Sequence, residues 1–409
     1  MSISPLAPKN FIIPKIISGI KLGCGYSGLK YINRDDLLII SLPKNSIVCG
    51  VFTNSSMASP AVNLCKKILS SNNRLRAIVV NAGNANVFNG LDGEKAILKI
   101  INKTASSLNI SSNEILIAQT GVIGEPFNYK KVLSSIDNAV KNLRPDNWIS
   151  ASKAIMTTDT FHKIDSLKCK IGHESINITG IAKGSGMIAP NMATMLSFIM
   201  TDANLSKTIL QKCLNHALED SFNSITVDSD TSTSDSLILG SSCNAKNIKV
   251  NSFHDKILDD FKISLKLLCQ NLAKQVVCDG EGASKLVTIS VSGDKNFKDL
   301  KTIAFSIANS PLVKTAISAG DPNWGRIIMA IGKTQLKINP KRISLSIGKF
   351  LITKNGERTM EYNENKIQEY MKKNEIELKI IIGKSVKDVT VWTCDFTKEY
   401  IDINSSYRS

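Results

Sequence analysis

No stretch of this chain stays apolar for long, and that limits what it can fold into. The longest uninterrupted apolar runs are a few residues, such as Phe198-Ile-Met200. Roughly 20 are needed to span a bilayer, so no transmembrane helix is expected. Short apolar runs instead alternate with stretches of helical periodicity. Leu37–Leu42, Ile47–Phe52, Arg76–Val80, Ile115–Ala118, Ile178–Ala182 and Leu286–Val291 read as strands. Between them lie helical faces: Ile97, Ile100, Ile101, Ala105 and Leu108, opened by Asp92 as cap; Val132, Ile136, Val140 and Leu143; Leu210, Cys213, Leu214, Ala217 and Leu218. A long helix is expected from about Lys256 to Val277, with another leading to Ala319–Gly325 and a tail of strand and turn. The layout is mixed α/β (α+β), with sheets covered by helices. At 409 residues it suggests two or three lobes.

Charge and cysteine usage exclude more than they assign. The net charge is +16, but the lysines are spread along the whole chain, with no basic cluster interleaved with aromatics. Nucleic-acid binding is therefore not expected, and the positive field is read as drawing in small carboxylates. Nine cysteines are scattered without a CxxC pair, and the four histidines form no ligand pattern with them. Reduced thiols and no metal site are expected. The N-terminus has no basic region followed by an apolar stretch, which gives an expectation of a cytoplasmic protein.

The chemistry concentrates in Lys183-Gly-Ser-Gly-Met-Ile-Ala-Pro-Asn-Met-Ala-Thr-Met-Leu196, a loop that runs into an apolar strand. Gly184 and Gly186 leave room for a ligand, and Pro190 stiffens the approach. Ala193 presents a small carbonyl directly before the Thr194 hydroxyl. Attack of that hydroxyl on the Ala193 carbonyl, then hydrolysis of the ester, would leave Thr194 with a free α-amine of pKa about 8. The amine would be a base built in beside the nucleophile. From the stretch alone, a plain strand threonine is the favoured reading, because small-residue loops before strands are common. Three other segments bear on it. Gln119-Thr-Gly-Val-Ile-Gly124 is a small-residue turn whose donors could stabilise an oxyanion. Lys183 could pair with a substrate carboxylate, and Glu281, set between two glycines, could hold an ammonium. Asn81-Ala-Gly-Asn-Ala-Asn86 reads as a loop at a strand end, where binding loops often lie.

Taken together, these segments resemble the ornithine acetyltransferase family, the bifunctional glutamate N-acetyltransferase/amino-acid acetyltransferases of arginine biosynthesis. The resemblance runs from about Pro8 to Ser409. It includes Val80–Asn86, Thr120–Gly124, Met156-Thr-Thr-Asp-Thr160, Lys183–Leu196, Asp230-Thr-Ser-Thr233, Asp279-Gly-Glu-Gly-Ala283, Gly320-Asp-Pro-Asn-Trp-Gly-Arg326 and Asn404–Ser409. It implies self-cleavage between Ala193 and Thr194, giving an α chain (1–193) and a β chain (194–409) assembled as two of each. It makes Thr194 the nucleophile and places the oxyanion hole at Thr120 and Gly121. Substrate contacts carry over to Thr157, Lys183, Thr194, Glu281, Asn404 and Ser409. It implies stacked sheets flanked by helices, with an N-terminal-nucleophile look, and a ping-pong transfer of acetyl from N-acetylornithine to glutamate. No cofactor is implied, and no residue pattern decides whether acetyl-CoA is also a donor. Two departures are the lysine excess and the 160–178 segment, which is longer and more polar than expected and is read as a surface loop. Two rivals stay open: an N-terminal-nucleophile amidase or aminopeptidase that passes its acyl group to water, and a non-catalytic basic binding protein.

Overall fold

A computed structural model describes residues 2–71, 74–189, 195–384 and 387–406. Its strands form three sheets. The N-terminal sheet has the order Lys21–Gly25, Leu37–Ser41, Ala77–Asn84, Ile115–Val122. Its last two strands are parallel, with Gly83 opposite Gly121, and helix Gly90–Leu108 connects them. The central sheet runs Ile47–Phe52, Ser236–Ser241, Leu196–Thr201, Glu174–Lys183, Lys163–Ile171. In a six-stranded C-terminal sheet, Leu286–Gly293 lies between Glu375–Ile382 and the edge strand Asp388–Cys394.

The central sheet explains the apolar run that follows residue 194. All six residues of Leu196–Thr201 are buried. Phe198 and Met200 pack into the core shared with the N-terminal sheet, while Ile199 packs into a second core beneath helices Lys207–Glu219 and Asp259–Cys278. A strand covered on both faces needs no polar alternation. Trp148, wholly buried in the short helix Trp148–Ala154, belongs to the first core. Its truncation to Ala would cost about 3–5 kcal/mol. A third core lies under the C-terminal sheet and helix Phe297–Ala308. The architecture is mixed α/β, stacked sheets flanked by helices, as the sequence suggests.

Several local expectations are corrected. The strands at Ala77 and Ile115 continue to Asn84 and Val122, through segments read as loop and turn. Their amides are satisfied by side-chain pairing that composition does not reveal. The 160–178 segment is not a loop but a hairpin, Lys163–Ile171 antiparallel to Glu174–Lys183, turning at Gly172. Its apolar positions Ile164, Cys169 and Ile171 are buried, while intervening lysines mask the alternation. Asn89, not Asp92, precedes the first turn of Gly90–Leu108. The tail contains helices Glu364–Met371 and Lys398–Ser405. Three helices, Phe297–Ala308, Pro311–Ala319 and Trp324–Gly332, stand where one was expected.

Candidate active site

Strand ends converge on one cavity of about 260 Å³. The N-terminal sheet contributes Thr120 and Gly121. The central sheet contributes Lys183 from the end of one strand, and Leu196 and Asp235 from the start of two others. Thr157, Glu281 and Asn404 complete the wall. Six residues expected from the sequence thus meet in one place. Ala193, Thr194 and Ser409 lie outside the described residues, and Met195, next along the chain, lines the cavity.

The strand end at Thr120–Gly121 depends on glycine. Gly121 has φ +135°, and a Cβ there would lie 2.5 Å from Asn84 N and 2.7 Å from Gly83 O. Only glycine lets the two strand ends approach this closely. Behind the strand end, a buried amide network fixes it. Gln119 Nε2 donates to Asn81 Oδ1 (2.8 Å), Asn86 Nδ2 to Gln119 Oε1 (3.0 Å), and Asn81 Nδ2 to Asn84 O (3.1 Å). The asparagine-rich segment read as a binding loop is therefore scaffolding. Each buried amide finds a partner, as polar groups in a dry site must.

Lys183 is 9 % exposed and donates through Nζ to Thr120 Oγ1 at 3.2 Å. An ammonium has donors only, so Thr120 accepts, and its own O–H is left to point elsewhere. The lysine thus polarises the hydroxyl expected to stabilise an oxyanion. Burial pulls the Lys183 ammonium below its usual range, against the attraction of Asp159.

One carboxylate places both loops. Asp159 Oδ2 accepts from Thr157 N (2.8 Å), and Oδ1 accepts from Gly184 N (2.7 Å) and Lys163 Nζ (2.6 Å). Lys163 has no exposed surface and also donates to Asp279 Oδ2 (2.5 Å). Asp279 in turn accepts from Thr160 N (2.9 Å). Burial opposes the charge on Asp159, but Lys163 and Lys183 outweigh it and hold the carboxyl below the usual carboxylate range. Burial raises Asp279 in spite of Lys163. Asp159 is thus the ionised partner of the buried lysine.

Glu281 follows directly on this cluster. It is 7 % exposed, and its Oε2 accepts from Asn404 Nδ2 at 2.8 Å. Gly186 lies against the same carboxylate, where a Cβ would come within 2.7 Å of Oε1. The C-terminal helix therefore helps shape the cavity. Asp228 pins the glycine loop from the other side, accepting from Met187 N (2.7 Å) and Ile188 N (2.8 Å). Sequence reasoning passed over Asp159, Lys163, Asp228 and Asp235 as candidates. Three of them stand in hydroxyl- and carboxylate-dense segments, the one signal that could have marked them. Among the described residues, no group of three or more His, Cys, Asp or Glu side chains is arranged to hold a metal ion. No helix among them is long and apolar enough to cross a membrane.

The ArgJ family pattern matches residues 21–409. The arginine biosynthesis bifunctional protein ArgJ of Bartonella henselae is 45% identical over 409 residues, covering 100% of both chains. That of Agrobacterium fabrum is 43% identical over 412 residues, also covering 100% of both. A crystal structure of the ArgJ protein of Bacillus halodurans matches with 38% identity and a TM-score of 0.50, over 52% of this chain and 100% of that one. The chain belongs to the ArgJ family, enzymes of arginine biosynthesis.

Proposed function

We propose that the chain is a self-processing acetyltransferase that moves the acetyl group of N2-acetylornithine to glutamate, giving N-acetylglutamate and ornithine. The observation that carries this reading is the single cavity in which Thr120, Gly121, Lys183, Glu281 and Asn404 surround the start of the strand two residues beyond Thr194. Cleavage between Ala193 and Thr194 yields an α chain of residues 1–193 and a β chain of residues 194–409, paired as two of each in the cytoplasm. The fully matched Bacillus halodurans chain corresponds to 52% of this one. The segment from Thr194 onward is slightly more than half the sequence, so one processed chain would have that size.

In the first half-reaction, Thr194 Oγ gives its proton to its own α-amine and attacks the acetyl carbonyl. The Thr120 hydroxyl and Gly121 N–H stabilise the oxyanion, each donor contributing about 2.7–4 kcal/mol where such donors have been removed. On collapse, the α-ammonium returns its proton to the departing ornithine amine. The acetyl-threonine ester is then attacked by the glutamate amine through the same oxyanion, in a ping-pong sequence. Lys183 pairs with the amino-acid carboxylate, Thr157 and Ser409 are substrate contacts, and Glu281, held by Asn404, takes the α-ammonium of the departing ornithine and the incoming glutamate. Acetyl-CoA is a second donor to be set beside acetylornithine in the same assay, since the relatives are named bifunctional.

Mass spectrometry of the purified protein tests the reading, with two fragments expected, one of them beginning at Thr194. Thr194→Ala is expected to stay intact and make no acetylglutamate, and Thr194→Ser to keep some of each activity. Active enzyme with an unbroken 193–194 bond would refute it. Incubating acetylornithine without glutamate separates a hydrolase, which would release acetate.

A further inference from the structure

One carboxyl in the cavity has no part in the mechanism above. Asp235 lines the same wall as Lys183 and Thr120, yet is only 3 % exposed. Its Oδ2 is buried and makes no hydrogen bond with the described residues, and neither does the hydroxyl of Ser234 beside it, another residue of the wall. The backbone fixes the position: Thr53 N donates to Asp235 O (3.1 Å), and Ser236 N donates to Met195 O (3.0 Å). A buried carboxylate oxygen without a donor is costly unless a ligand supplies one. The charged group that faces it is Lys183, and Ser232 hydrogen-bonds it. Burial nevertheless holds the Asp235 carboxyl well above the usual carboxylate range. A cation or a donor set against Oδ2 therefore decides whether the group is a carboxylate or an acid.

The substrates set a problem that such a group solves. This inference rests on the proposed transfer reaction. A ping-pong enzyme with one cavity must accept a donor whose side chain ends in an ammonium, and then an acceptor whose side chain ends in a carboxylate. A fixed charge would favour one and repel the other. We propose that Asp235 reads the side-chain end of both substrates, pairing as a carboxylate with the donor's ammonium and donating as a carboxylic acid to the acceptor's carboxylate. The proton leaves to solvent when the donor binds and returns from solvent when the acceptor binds. No other bond is made or broken in this step.

The test uses Asp235→Asn, which keeps shape and a donor but cannot carry charge. The KM for N-acetylornithine is expected to rise at least tenfold and that for glutamate to change less than threefold, because an amide N–H still serves a carboxylate. Self-cleavage, read by mass, serves as the folding control. A second measurement needs no variant. Calorimetry of the cleaved wild-type enzyme at pH 7, in two buffers of different ionisation enthalpy, follows ornithine and glutamate separately, neither of which can transfer an acetyl group. Ornithine is expected to release protons on binding and glutamate to take them up or exchange none. Equal shifts in both KM values, or identical proton exchange for both ligands, overturns the inference. A wild-type enzyme that forms no acetylglutamate instead overturns the transfer reaction on which it rests.

Discussion

Gly121→Ala is the substitution whose effect can be worked furthest from the coordinates. The added methyl would sit 2.5 Å from Asn84 N, against the facing strand. Ordinary contact at about 3.4 Å requires a displacement of about 1 Å, and φ +135° adds strain of order 1–3 kcal/mol for any side chain. The displaced group is the one whose N–H and neighbouring hydroxyl are proposed to meet the oxyanion. A 1 Å error at a reacting centre costs roughly 10²-fold in rate, or about 2.7 kcal/mol. That agrees with the loss of one oxyanion donor. Gly124→Ala is the control from the same segment, since Gly124 has φ +78° but nothing within 4 Å of a Cβ. It should cost about 1 kcal/mol of stability and leave the rate within threefold. The assay is acetylglutamate formation from acetylornithine and glutamate, with kcat normalised to the cleaved fraction measured by mass. Cleaved Gly121→Ala enzyme with kcat within threefold of wild type would refute the reasoning about this strand end.

Two further outcomes concern groups outside the reaction itself. Lys163→Met leaves Asp159 and Asp279 buried without their shared cation, and is expected to cost about 3–5 kcal/mol and to lower both the apparent Tm and kcat as Thr157 and Lys183 lose their anchor. A Tm within 2 °C of wild type would contradict the assignment of the cluster. His162 stacks on Phe11 with ring centroids 4.1 Å apart, and burial, with Lys153 and Lys163 adding to it, holds its pKa at about 4. The unfolded chain therefore takes up a proton below about pH 6.5 that the folded chain refuses until about pH 4. This contribution is present above that window and is lost as pH falls through it. Buried carboxyls held high, such as Asp279, act in the opposite direction. The comparison is thus of slopes: His162→Phe should lose less Tm between pH 7 and pH 5 than wild type, and parallel curves would exclude the effect.

Much of the scaffold could be read from residue patterns alone, and the reasons differ from place to place. Ile47–Phe52 has the strand bounds expected of it, because an apolar run between turn residues is a local signal. The strand through Asn81–Asn84 was hidden because Asn and Gly favour turns. What overrides them is Gln119, 38 residues from Asn81 in sequence. The same holds for Lys163, a charge that reads as surface and is buried because carboxylates 4 and 116 residues away enclose it. Thr120, Gly121, Lys183 and Glu281 gave only weak local signals, which the ordered motifs of the resemblance sharpened, while Thr157 and Asn404 came from the resemblance alone. The convergence of Thr120, Gly121, Lys183, Glu281 and Asn404 needs four chain segments: strand ends from two sheets, the turn after helix Asp259–Cys278, and the helix Lys398–Ser405.

The bond between Asn404 and Glu281 closes the cavity with a helix drawn from 123 residues further along the chain. The sheets can fold before that helix docks, but the wall stays open until it does. Loosening its seat, as Asn404→Ala would, weighs on substrate recognition more than on the stability of the sheets.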